Sequence, residues 1–181
     1  MSKQTELATF AGGCFWCIES AYNAINGVNN ALSGYMDGHL ENPSYQDICT
    51  GQSGHAEVVQ VSFDPNVISY ETLLEVFFSL HDPTQLNRQG NDVGSQYRSA
   101  IFFHNVQQQV LAQAKIEQLT KQGVWSQQIV TEVKAADIFY CAEDYHQDYV
   151  SNNPQNPYCQ MLVLPKLAKF KSQFSDKLKQ L

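Results

Sequence analysis

Short apolar strands alternate with amphipathic helices along this chain, and that alternation limits the folds open to it. Apolar residues at every second position predict strands, and apolar residues three or four positions apart predict helices. Through residue 103 the order is β-α-β-β-α-β, which is the split βαβ arrangement of a sheet with two helices on one face. We therefore predict an α/β (α+β) protein, a two-layer sandwich with a ferredoxin-like core plus extra C-terminal helices and loops.

The predicted elements cover most of the chain. Strands are expected at Leu7–Ala11, in the low 30s, and at Glu57–Phe63, Gln96–Phe103 and Ile129–Val133. Helices are expected at 14–26, Ser69–Leu80, Val106–Gln122 and Pro165–Leu181. No repeat or Pro/Gly/Ser-rich linker interrupts the 181 residues, which are about one domain in length. We expect a single domain over residues 1–181.

Charge and hydropathy exclude several classes of partner. The 11 Lys and Arg residues are outnumbered by 18 Asp and Glu, for a net charge of −7, so nucleic-acid binding is not expected. Apolar runs stay far below the roughly 18 residues that a membrane span needs. The N-terminus, Met1–Glu6, has no apolar signal-like segment, and we expect a cytoplasmic protein, a monomer in the simplest case.

The cysteines point to thiol chemistry. The chain has five, an odd number, at Cys14, Cys17, Cys49, Cys141 and Cys159. In a chain of this size without a signal segment, that count argues against a structural disulfide framework. The cysteines are therefore expected to be free thiols, and the question is which of them reacts.

Cys14 is the first candidate nucleophile. It follows Gly12 and Gly13, where a predicted strand passes into a helix, so it should lie on free backbone N–H groups that favour the thiolate. Trp16 falls outside the apolar stripe of the helix and could wall a pocket beside it. Cys14 and Cys17 also form a C-x-x-C pair, which read alone indicates a dithiol redox motif. A zinc site would need a second Cys/His pair at metal spacing, which the sequence lacks.

Two further polar residues fall on predicted apolar faces. Glu57 alternates with Val59 and Val61, so it should be buried, with a raised pKa suited to a general acid. Tyr97 shares a face with Ile101 and could offer its hydroxyl to a ligand oxygen. Neither residue is decisive alone, since Glu57 could reach water or pair with an arginine, and Tyr97 could be a core tyrosine.

Two C-terminal residues carry weaker signals. Cys159 ends an Asn- and Pro-rich run, so we expect a mobile, reachable thiol that could move toward another sulfur. His146 is expected to make a structural hydrogen bond. Cys49 and Cys141 are expected to be structural.

Taken together, these motifs resemble the methionine sulfoxide reductase A family, the peptide-methionine (S)-S-oxide reductases. The resemblance rests on five ordered blocks: GGCFWC at 12–17, SGY at 33–35, NPSYQDICTGQSGHAEVVQVSFDP at 42–65, HDPTQLNRQGNDVGSQYRSAIF at 81–102, and FYCAEDYHQDY at 139–149. Five blocks in order are far more specific than any one motif, and they span nearly the whole chain.

The resemblance implies a set of site residues. Cys14 would be the nucleophile, with Phe15 and Trp16 holding the S-methyl group. Glu57 would donate a proton to the sulfoxide oxygen, Tyr45 and Tyr97 would bind that oxygen, and Asp92 would lie near it through water. Cys14 would become a sulfenic acid, a second thiol would form a disulfide with it, and thioredoxin or dithiothreitol would reduce the disulfide. The resemblance implies no metal and no organic cofactor.

The resolving thiol stays open at this stage. Many relatives have glycine where Cys17 stands, and many end in a glycine-rich tail with a further cysteine that is absent here. Cys159 matches the usual resolving position and is favoured, with Cys17 second because a short helical ring strains a disulfide. Two other functions are kept as alternatives: a thioredoxin-like dithiol oxidoreductase using Cys14 and Cys17, and a binding module that recognises oxidised methionine without reducing it.

Overall fold

The computed structural model describes residues 4–180; residues 1–3 lie outside that range, as does Leu181, the last residue of the predicted C-terminal helix. The strands are β1 Glu6–Ala11, β2 Val28–Met36, β3 Ala56–Phe63, β4 Arg88–Gln89, β5 Asp92–Val93, β6 Ala100–Phe103, β7 Glu132–Ala135 and β8 Tyr140–Cys141. The α-helices are α1 Phe15–Asn23, α2 Tyr45–Cys49, α3 Tyr70–Leu80, α4 Val106–Lys121, α5 Tyr149–Asn152 and α6 Leu164–Gln173.

One six-stranded sheet organises the molecule, in the order β7-β6-β1-β3-β2-β8. All neighbours are antiparallel except β6 and β7, which are parallel. Strands β4 and β5 form a separate two-stranded hairpin. The predicted mixed α/β class is confirmed, while the ferredoxin-like split within that class stays a prediction.

Alternation along the central strands decides what the sheet buries on each face. Phe10, Val59, Val61 and Phe63 are fully buried in the main core with the apolar stripes of α1, α3 and α6. A smaller buried cluster lies apart from this main core and consists of Ala11, Met36, Ala56, Val58, Ala100 and Phe102. Burying each large side chain contributes roughly 1.5–3 kcal/mol, so the main core fixes the sheet and helices that carry the site.

The strand predicted at Gln96–Phe103 is wrong in its first half. Residues Ser95–Tyr97 form a 3-10 turn, and the strand covers only Ala100–Phe103. Gly94 has a φ of 143°, and its carbonyl accepts the backbone N–H of Tyr97, which turns the chain before the strand begins. Tyr97 therefore does not share a strand face with Ile101.

Two more predicted elements are shifted. The strand expected at Ile129–Val133 lies at Glu132–Ala135, where it can pair with β6. The C-terminal helix begins earlier than predicted, because a π-helical turn at Cys159–Val163 runs directly into α6. It also ends earlier, at Gln173, before a 3-10 turn at Ser175–Lys177.

Candidate active site

Cys14 lies where β1 passes into α1, as the sequence predicts. It is the N-cap of α1, with an extended backbone (φ −62°, ψ 127°) rather than a helical one. Gly13 before it has a φ of 83°, a left-handed conformation that costs glycine little, and its N–H donates to the carbonyl of Tyr97 at 3.2 Å. A side chain on Gly13 would come within 2.8 Å of Gln89. The backbone therefore holds Cys14 between the sheet and the turn that carries Tyr97.

Glu57 lies on the buried face of β3, only 2% exposed. One of its oxygens, Oε1, accepts the backbone N–H of Phe15 at 3.2 Å, which links β3 to the first turn of α1. Burial raises the pKa of Glu57 to about 8, although the Phe15 N–H opposes the shift and the charge of Asp92 adds to it. A carboxyl with this pKa keeps its proton at neutral pH and can donate it.

The thiol of Cys14 has a raised pKa in the free site, which corrects the expectation of a lowered one. Burial is the largest cause, followed by the negative charge of Glu57. The backbone N–H of Trp16 does favour the thiolate, as the helix start predicts, and so does the hydroxyl of Tyr158. Burial outweighs those two donors, and the charge of Asp92 adds to the upward shift. Protonation of Glu57 removes its opposing charge and so favours the thiolate.

A cavity of about 260 Å³ opens over Cys14 and brings the predicted residues together. It is lined by Cys14, Phe15, Trp16, Tyr45, Glu57, Asp92, Tyr97, Asn156 and Tyr158. These residues come from α1, α2, β3, β5, the 3-10 turn before β6, and the segment before the π turn. Burial and the charge of Glu57 raise the pKa of both Tyr45 and Tyr97, so their hydroxyls stay protonated donors.

Sequence analysis missed two residues of this cavity, Asn156 and Tyr158. The hydroxyl of Tyr158 donates to Oδ2 of Asp92 at 2.6 Å, and Tyr158 lines the cavity together with Cys14. Tyr158 and Asp92 are 66 residues apart along the chain, so no local pattern could have shown their contact. The only sequence signal was the position of Tyr158 directly before a candidate thiol.

Comparison with known proteins decides the family. The family model for peptide methionine sulfoxide reductase matches residues 6–178. A peptide methionine sulfoxide reductase MsrA from Pasteurella multocida is 55% identical over 172 residues, which cover 95% of this chain and 98% of that protein. The chain belongs to the peptide methionine sulfoxide reductase family.

Solved structures of other reductases in this family share the fold. Reduced Mxr1 from Saccharomyces cerevisiae is 38% identical with a TM-score of 0.78, covering 88% of this chain and 91% of that one. Mxr1 in complex with Trx2 is 29% identical with a TM-score of 0.54, covering 82% and 87%. The fold of this chain is therefore shared with these solved structures.

Among the other thiols, Cys17 shares a groove with Cys14. It lines, with Cys14, a second groove of about 290 Å³ that also includes Tyr158 and Lys166. Burial raises the pKa of Cys17 to about 11; the cation of Lys166 opposes that shift, and the charge of Cys159 adds to it. Cys17 and Cys159 both pack in the main core, and neither is in a disulfide.

The expectation that Cys159 is a reachable thiol is wrong. Its residue is 0% exposed and lies in the π turn, where it packs in the main core. The Asn- and Pro-rich run that precedes it ends at Pro157, and the apolar stripe of α6 extends back as far as Cys159. Cys49 and Cys141, expected to be structural, are both exposed at the surface.

His146 makes the structural hydrogen bond that was expected of it, and the partner is Trp16. The indole Nε1–H donates to Nδ1 of His146 at 3.0 Å, across 130 residues of chain.

Within residues 4–180, no three His, Cys, Asp or Glu side chains are grouped so as to hold a metal ion. Over the same range, no helix has the length and apolar character needed to cross a membrane.

Proposed function

We propose that this chain reduces methionine S-sulfoxide, free or in proteins, to methionine, with Cys14 as the nucleophile. The observation that carries the proposal is the cavity that brings a half-buried thiol, a buried carboxyl and the hydroxyls of Tyr45 and Tyr97 against an aromatic wall. A sulfoxide needs each of these: a nucleophile for sulfur, an acid and hydrogen-bond donors for oxygen, and an apolar pocket for its methyl group.

Glu57 acts as the general acid in this proposal. Its raised pKa keeps the carboxyl protonated near neutral pH, and its bond to the Phe15 N–H holds it beside the nucleophile. As the sulfur of Cys14 attacks the sulfoxide sulfur, negative charge develops on oxygen and Glu57 protonates it. The hydroxyls of Tyr45 and Tyr97 donate to the same oxygen and stabilise that charge as it develops. Asp92 supports the site through its bond to Tyr158.

The reaction conserves atoms and electrons. The sulfoxide sulfur is reduced by two electrons and leaves as the thioether of methionine, while Cys14 is oxidised by two electrons to a sulfenic acid. A second thiol then attacks that sulfur, and the hydroxyl departs as water when the disulfide forms. A dithiol reductant restores both thiols by exchange and is itself oxidised.

Cys17 and Cys159 are the two candidates for the second thiol, and the structure supports Cys17 as the first partner. Cys14 and Cys17 line the same groove, whereas Cys159 does not line it. Cys14 has an extended backbone rather than a helical one, so the two thiols are not both within a regular helix. Cys159 is fully buried in the π turn, so it would react with Cys14 only after that turn opens.

Thioredoxin is the proposed reductant, with dithiothreitol able to replace it in vitro. Support comes from the yeast relative, which has been solved in complex with Trx2. We further propose that the reaction uses no metal and no organic cofactor, and that the chain acts as a single-domain monomer in the cytoplasm to repair oxidised methionine.

Single-turnover kinetics with methionine sulfoxide tests the proposal. Cys14→Ser should release no methionine, and Glu57→Gln should slow the reductase step far more than it weakens substrate binding. Cys17→Ser should retain the single turnover and leave the sulfenic acid long-lived, whereas Cys141→Ser, a matched control at an exposed thiol, should behave like wild type. Full methionine release by Cys14→Ser would refute the proposal, and an unchanged disulfide yield in Cys17→Ser would move the resolving role to Cys159.

A further inference from the structure

Trp16 is held on three sides by residues of the C-terminal segment. Its indole Nε1–H donates to Nδ1 of His146 at 3.0 Å. Tyr149 stacks on the ring with centroids 3.7 Å apart and an interplanar angle of 4°, and Tyr158 meets it edge-on at 5.9 Å. The indole lies in the first turn of α1 and is half-buried, so without these contacts its side-chain rotation would be little restricted.

His146 is the polar part of that arrangement. The residue is 1% exposed and ends the 3-10 turn Asp144–His146. Its ring centroid lies 4.2 Å from that of Tyr145, 4.3 Å from that of Tyr45 and 5.1 Å from that of Phe15. Packing among these rings would suit a phenylalanine equally well, so packing alone does not explain a histidine here.

The hydrogen bond to Trp16 fixes the tautomer of His146. Because Nδ1 accepts the indole N–H, the ring proton of a neutral histidine must be on Nε2. Within residues 4–180, Nε2 is buried with no hydrogen-bond partner, which costs free energy. Nε2 of His146 is thus unpaired, while Nδ1 accepts a hydrogen bond from one partner, the indole N–H of Trp16 in the cavity wall.

We propose that His146 is a positioning residue that fixes the indole of Trp16 and thereby sets the width of the pocket for the group on the sulfoxide sulfur. This inference rests on the proposed function, in which Phe15 and Trp16 hold the S-methyl group. An indole locked by a hydrogen bond and a stacked ring leaves a pocket of defined size. Without the acceptor, the ring can rotate about its side-chain bonds and admit a larger substituent.

The experiment compares methionine S-sulfoxide with its S-ethyl analogue, ethionine S-sulfoxide, as substrates. One methylene in a defined apolar pocket is worth about 10–200-fold in kcat/KM. His146→Phe keeps an aromatic ring but has no acceptor, so we expect the methyl-over-ethyl ratio to fall about tenfold, mainly through KM. His146→Asn places Oδ1 near the position of Nδ1, so it should restore at least a third of the wild-type ratio. The matched control His104→Phe removes a histidine bonded to Thr9 and should leave the ratio unchanged.

A spectroscopic measurement reports on the indole itself. The chain has two tryptophans, so ¹⁵N-tryptophan labelling gives two indole N–H resonances, which Trp125→Phe assigns. The resonance of Trp16 should move upfield in His146→Phe and stay near its wild-type position in His146→Asn. Any loss of fold would instead move both indole resonances together.

Two results would overturn the inference: an unchanged substrate ratio in His146→Phe with the Trp16 resonance shifted, or an unshifted Trp16 resonance in that variant. Failure of the proposed function would look different, because the wild-type protein would then reduce neither sulfoxide.

Discussion

Replacing Glu57 by glutamine should stabilise the folded protein by an amount that grows with pH. Burial raises the pKa of Glu57 from 4.5 to about 8, so the folded protein binds this proton more tightly than the unfolded chain does. The carboxyl's contribution to stability is therefore fully present below the unfolded pKa and is lost as the pH rises through about 8. Glutamine is neutral at every pH and its Oε1 can still accept the Phe15 N–H.

The size of the effect follows from the same shift. Each unit of difference in pKa corresponds to about 1.36 kcal/mol. As the pH rises from 4.5 to 7, the unfolded chain releases this proton and the folded protein keeps it. The free energy of unfolding of the wild type therefore falls by about 3 kcal/mol over this range. Glu57→Gln should thus match the wild type near pH 4 and exceed it by about 3 kcal/mol at pH 7.

Urea unfolding followed by tryptophan fluorescence at several pH values between 4 and 7 measures this difference. Glu19 also has a pKa raised by burial, to about 7, but it is present in both proteins and cancels from the comparison. Glu41→Gln, which changes an exposed carboxyl, is the matched control and should differ little from wild type at any pH. A Glu57→Gln difference that does not change with pH, or that shrinks toward pH 7, would refute the reasoning.

Two other substitutions test how the site is held together. Tyr158→Phe removes the hydroxyl that binds Asp92 at 2.6 Å, so the segment before the π turn should open more often. Cys159 should then react about tenfold faster with a maleimide, as measured by peptide mass spectrometry. An unchanged rate would show that this hydrogen bond does not hold the segment closed. Arg98→Met removes a buried guanidinium that binds Asp37 at 3.0 Å and two backbone carbonyls. Urea unfolding should therefore show that the free energy of unfolding falls by about 3 kcal/mol. A decrease below about 0.5 kcal/mol would contradict the assigned bonds.

Local patterns predicted the residues whose position depends on one element. Cys14 follows two glycines at a strand-to-helix junction, and Glu57 alternates with buried valines along β3, so each could be placed from its neighbours. Family resemblance, rather than any local pattern, brought in Tyr45 and Asp92, since α2 and the β4–β5 hairpin have no periodic signal. The cavity brings all four together.

Residues whose role depends on distant contacts could not be predicted. His146 meets Trp16 across 130 residues, and the raised pKa of Cys14 depends on its burial and then on the charge of Glu57 in β3. The segment before Cys159 was misread because its prolines and asparagines suggested a loop. The apolar spacing of Cys159, Val163, Leu167 and Phe170 continues the stripe of α6 and was the signal for a helical turn.

Mass spectrometry after a single turnover tests most directly whether Cys14 takes up the oxidising equivalents of the sulfoxide. The protein would carry serine at the other four cysteines, so that no second thiol can form a disulfide. We predict one equivalent of methionine per chain and a sulfenic acid on the peptide that contains Cys14. Release of methionine without oxidation of that peptide, or no release at all from a folded sample, would contradict the account.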